Sequence, residues 1–176
     1  SVLVLACNTQ PPKTIDAKIS YPADGTVFPP EFPPPTCFWE TTGNTNSTWK
    51  VSVLDAENQV LHESKVSSEM RWSPSAKDWE ALKQQAKQQT VSLVLAAIDE
   101  MQKAFPVDTV SFQFSADSVG APIFYRSVPL PFKFARENLT EVRWQLGNIG
   151  SSDAPATVLS DIPVCGNCHS VSADGG

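Results

Sequence analysis

"STWKVSVLDAENQVLHES", Ser47 to Ser64, is the stretch whose reading decides the fold. Trp49, Val51 and Val53 alternate with Lys50 and Ser52. That period of two sets one face of a strand on a core and the other in water. Ala56-Glu57-Asn58 forms a polar turn, and Val60-Leu61 begins a return strand, so the segment predicts a hairpin.

The pattern extends in both directions. Upstream, "AKISYPADGTVFPPEFPPPTCFWE" (17–40) places Ile19 and Tyr21 on a half-buried strand and a turn at Asp24-Gly25. The proline run that follows is too stiff for a flexible linker and reads as an extended crossover along a sheet edge. Phe38 and Trp39 then enter a second strand. Downstream, "SPSAKDWEALKQQAKQQ" (73–89) is the one convincing helix. Ser75 is its N-cap, Asp78 stands three residues on, and Trp79, Leu82 and Ala86 make a narrow apolar stripe. "TVSLVLAAID" (90–99), "TVSFQFSAD" (109–117), "APIFYRSVPLPF" (121–132) and "VRWQLGN" (142–148) are predicted strands. Pro129 and Pro131 end the third of these or hold it at an edge. Residues 151–164 read as a polar, proline-marked connection.

About seven short strands separated by turns, with one inserted helix, predict a mostly β chain. The expected form is an immunoglobulin- or fibronectin-like sandwich over residues 17–147. Residues 1–16 would precede it as a leader end and linker, and 148–176 would follow as an irregular C-terminal segment. The tryptophans at 39, 49, 72, 79 and 144 are expected in the core, with an aromatic carbohydrate-binding face as the alternative. No repeat of 20 to 50 residues is visible.

Composition agrees with a β-rich domain. Of 176 residues, 41% are hydrophobic, which suffices for a core, and 15 are proline, which keeps helices few. The net charge is -6 and the basic residues are scattered, which argues against nucleic acid and anionic lipid as partners.

"VLVLAC", ending at Cys7, resembles the end of a bacterial lipoprotein signal in which the cysteine is lipidated. The basic region that opens such signals is absent, so the chain is expected to start within it. The competing reading is a buried N-terminal strand. No other apolar run approaches the roughly 20 residues of a membrane span, so any membrane attachment would be by lipid anchor. Cys37 lies in apolar "TCFWE" as a small buried hydrophobe, or in a disulfide with Cys7.

"CGNCH", Cys165 to His169, carries the chemistry. C-x-x-C-H is the attachment signal of a c-type haem. Two thiols about one helical turn apart can form thioethers to the two vinyl groups of one porphyrin. The next residue, His169, can turn beneath the ring as proximal iron ligand. A thioredoxin-like pair would need a strand-to-helix setting. A zinc site would need a fourth ligand, for which only His62 and Cys37 remain. A Cys165–Cys168 disulfide would close a strained ring. One covalent haem c is the expected cofactor. For the sixth iron position, His62, Met70 and Met101 are the only other side chains of the common axial types. A water-occupied position or a ligand beyond this chain is the alternative.

"ISYPADGTVFPPEFPPPTCFWE", "APIFYRSVPLPF" and "LSDIPVCGNCHSVSADGG" occur in that order. Together they resemble the N-terminal region of a group of exported bacterial proteins. In that group an immunoglobulin-like domain leads into a mono-haem C-x-x-C-H segment and then a Tol-type, WD-like β-propeller. The resemblance runs from Ala17 to Gly176, and "S-x-D-G" after His169 resembles the start of a first blade. It implies thioethers at Cys165 and Cys168, His169 as proximal ligand, and a propeller beyond Gly176, so the chain is expected to be a fragment.

The functional expectation is a mono-haem electron-transfer domain on a membrane-anchored lipoprotein, periplasmic or on the outer surface. Its partner would be a redox protein or a larger membrane complex. The alternative is a structural or docking subunit in which the haem is secondary. No catalytic constellation is visible, since His62 is the only histidine outside the motif.

Overall fold

The computed structural model of the chain describes residues 16–42, 47–99 and 101–161. The protein is mostly β, as predicted. Its contacts divide it into two compact units, one of residues 1–28 and 34–115, the other of 29–33 and 116–176. The division at Ser115/Ala116 falls within the 17–147 stretch.

The first unit holds two sheets. One is three-stranded in the order β1 (Ala17–Tyr21), β3 (Cys37–Thr41), β6 (Arg71–Trp72). The other is five-stranded in the order β2 (Thr26–Phe28), β8 (Ala104–Phe114), β7 (Val91–Ile98), β4 (Thr48–Leu54), β5 (Val60–Glu63). The hairpin that opened the sequence reading is present: β4 pairs antiparallel with β5, and Trp49, Val51 and Val53 are all buried. β2 runs parallel to β8. Gly25 makes the turn before β2 with φ of 76°, a left-handed conformation that glycine alone adopts without steric cost. Asp24 ties that turn to β8, its Oδ1 accepting from Ser111 N at 2.7 Å and Ser111 Oγ at 2.6 Å.

β8 starts five residues earlier than the alternation at 109–114 predicts, and it contains Pro106. There the ladder pairs β8 with β7 alone among the described strands, because β2 pairs only with residues 112–114. An unpaired edge tolerates the missing proline N–H. A register shift follows, and Asp108 Oδ2 accepts from Ile19 N of β1 at 2.7 Å.

Helix α1 (Ala76–Ala86) is capped as predicted: Ser75 Oγ accepts from Asp78 N at 3.1 Å. Trp79, Leu82 and Ala86 are its buried residues. Trp79 meets Phe114 edge-on at 4.9 Å and Phe28 at 5.3 Å, so helix and five-stranded sheet share one aromatic core. Trp39 of the smaller sheet and Trp49 of the larger meet at 6.2 Å.

The second unit contains a three-stranded antiparallel sheet in the order β11 (Ala156–Leu159), β10 (Arg143–Gly147), β9 (Ile123–Ser127). Two of its elements correct the sequence reading. Residues 156–159, read as connection, form strand β11; all four are exposed, so no inside–outside alternation marks them. Phe132, the last residue of the strand predicted over 121–132, instead opens the short helix α2 (Phe132–Glu137), whose N-cap is Pro131 in extended conformation.

Candidate haem-attachment site

Cys7, Cys165, Cys168 and His169 lie outside the described residues, as does residue 100 between β7 and Met101. What is described is the approach to the motif and the environment of the remaining predicted ligands.

The approach is set by β10. Trp144 stands opposite Arg126 of β9 on one side and Leu159 of β11 on the other. Its buried indole stacks on Phe124, centroids 4.9 Å apart and planes 12° apart, and the Arg126 guanidinium lies 5.9 Å over it. Gly147 lets β10 pass Pro155, which a Cβ there would meet at 3.1 Å. β11 then ends at Leu159, and Asp161, with φ of 56°, is the last described residue. The β9–β10 connection carries α2 and three exposed apolar side chains, Leu130, Phe132 and Phe134.

The three sequence-predicted axial candidates all belong to the first unit, whereas the motif falls in the span of the second. His62, on β5, is half-buried with its ring 5.5 Å from that of Trp72. Met70 is 50% exposed, and its sulfur accepts from Thr41 Oγ1 at 3.9 Å. Met101 is 84% exposed in the β7–β8 turn, where its N–H bonds Asp99 Oδ1. The three stand on different segments, and among the described residues no group of three His, Cys, Asp or Glu could hold a metal ion.

Cys37 is a free, buried thiol on β3. Burial among apolar groups pushes its pKa up to about 12, because a thiolate there would lose its hydration. Trp39, Trp49, Trp79 and Trp144 are buried, which fits the core reading of the tryptophans; Trp72 is half-buried.

The donor set itself fits a c-type haem: two thiols two residues apart and an imidazole directly after the second. No family model, curated protein or solved structure matches this chain.

Proposed function

We propose that this chain is an exported mono-haem c-type cytochrome domain that passes electrons to a redox protein or larger membrane complex. The single observation that carries this reading is "CGNCH". Cys165 and Cys168 hold the porphyrin covalently, and His169 supplies the proximal imidazole. When bound, that group supplies a one-electron iron couple. The protein's own part is to place it and to limit its contact with water.

We read the first unit as an immunoglobulin-like sandwich. The order β8-β7-β4-β5 corresponds to G-F-C-C′ of that fold, and β1-β3-β6 to A-B-E. Helix α1 then occupies the crossover between the last two named sheets' strands, β6 and β7. The lipoprotein-like "VLAC" supports a lipid anchor at Cys7. Among the described residues no helix is long and apolar enough to cross a membrane.

A pyridine haemochrome spectrum of the protein purified from an exporting host tests the proposal. A c-type band is expected, and the double variant Cys165→Ala/Cys168→Ala should lose it while keeping its far-ultraviolet β spectrum. A parent protein without the band ends the haem reading.

A further inference from the structure

We propose that the outer face of the sheet β1-β3-β6 binds a neutral oligosaccharide, with the rings of Tyr21 and Phe38 as its platform; the proposal stands apart from the haem reading. The period of two along β1 puts Ile19 and Tyr21 on one face. A bulge between them breaks that period: Ile19 pairs with Trp39, but Tyr21 pairs with Phe38 rather than with Cys37. Trp39 and Cys37 are 4% and 2% exposed, whereas Tyr21 and Phe38 are 37% and 44% exposed. The bulge turns an aromatic ring out of the core and sets it beside a second one in water. Bulges are over-represented next to active sites, where they re-aim a side chain in this way.

Strand register makes the face continuous. Phe38 stands opposite Tyr21 on β1 and opposite Arg71 on β6, so the three form one rung across the sheet. Adjacent strands lie about 4.8 Å apart, which makes the rung about 10 Å long. Lys18 and Glu40, paired and exposed, form the next rung of the same face. Glu69 Oε2 accepts from Arg71 Nε at 2.9 Å and so holds the guanidinium beside the rings.

The chemistry selects the occupant. One side of a pyranose ring carries C–H groups, which pack on the electron-rich face of an aromatic ring. Its rim carries hydroxyls, to which Lys18 and Arg71 can donate and from which Glu40 can accept. Lys18 and Arg71 balance Glu40 and Glu69, so the face has no excess charge to attract an anion. A second copy of the chain would bring a net charge of -6 against its like.

Isothermal titration of the full chain with cellohexaose, chitohexaose and maltohexaose, and with anionic hexagalacturonate, tests the proposal. At least one neutral hexasaccharide should bind, and more tightly than hexagalacturonate. Y21A/F38A should lose that binding, while V60A, at an exposed apolar position on β5, should keep it. An aromatic cross-strand pair also stabilises a sheet. Should Y21A/F38A lower the melting temperature, Y21L/F38L removes the rings, keeps apolar bulk and serves for the same comparison. Binding that survives loss of both rings overturns the platform. No binding of any neutral sugar, or tighter binding of hexagalacturonate, overturns the proposal. A dimer that forms with rising concentration and is lost in Y21A/F38A assigns the face to a second copy and overturns it as well. None of these outcomes changes the haem band, so the two proposals fail separately.

Discussion

Cys37 shows how one side chain records its surroundings. It stands opposite Trp72 in the β3–β6 pair, 2% exposed, in a small apolar cavity with Phe28, Val53, Trp79 and Leu93. Its thiol should resist a thiol reagent at pH 8 in the folded protein and react on unfolding, which a time course with and without urea measures. The folded pKa of about 12 lies above the ordinary thiol value of 9.0. The neutral form is thus the one the fold favours. Its contribution to stability is full below pH 9 and is lost as pH rises toward 12. Urea melts should show that loss in the parent and lack it in Cys37→Ala. Cys37→Ser, which buries a hydroxyl in the same place, should cost roughly 1–3 kcal/mol. Asp24 behaves in the opposite sense. The Ser111 hydroxyl, then its N–H, holds the Asp24 carboxyl below the usual carboxylate range. Its contribution is present above that range and lost as pH falls through the lowered value. Asp24→Ala should therefore lower the melting temperature at pH 7 and make little difference near pH 2. Asp24-Gly25 was readable as a turn; its anchor on Ser111, 87 residues away, was not, because no local pattern encodes so distant a partner.

Among the elements, α1 was the most legible because its signals are local. The Ser75 cap, Asp78 three residues on and the apolar stripe all act within the helix itself. Ser75→Ala should cost about 1 kcal/mol in a chemical melt, the ordinary worth of an N-cap. Trp79→Ala should cost roughly 3–5 kcal/mol, since it removes the indole that Phe28, Phe112 and Phe114 pack around. A Trp79→Ala loss under 1 kcal/mol would mean that the aromatic cluster is not the core. β4 was equally plain, because one face is buried and the other is not. β11 and α2 were not. β11 is exposed on every residue and is held by its ladder to β10, so side-chain alternation had nothing to report. α2 has six residues and no side-chain cap bond, which leaves no starting signal beyond Pro131.

At the scale of the whole molecule, the buried apolar residues are unevenly shared. Among the described residues all but Ala135, Val142 and Trp144 belong to the first unit. A fragment of residues 16–115 should accordingly unfold in one cooperative transition, with coincident far-ultraviolet and tryptophan-fluorescence melts. Non-coincident melts would show that this unit lacks a core of its own. The sequence by itself determined the β class, the α1 helix, the buried face of β4 and the C-x-x-C-H spacing of Cys165, Cys168 and His169. Each of these is a relation between residues a few positions apart, so chain order alone carries it. Only the tertiary structure decided the parallel pairing of β2 with β8, the division at Ser115, and the addition of β11 to the edge of β10. Those depend on which distant strands pair and in what register. That choice is made by the total surface buried when the sheets assemble, a quantity that no single stretch of the chain contains.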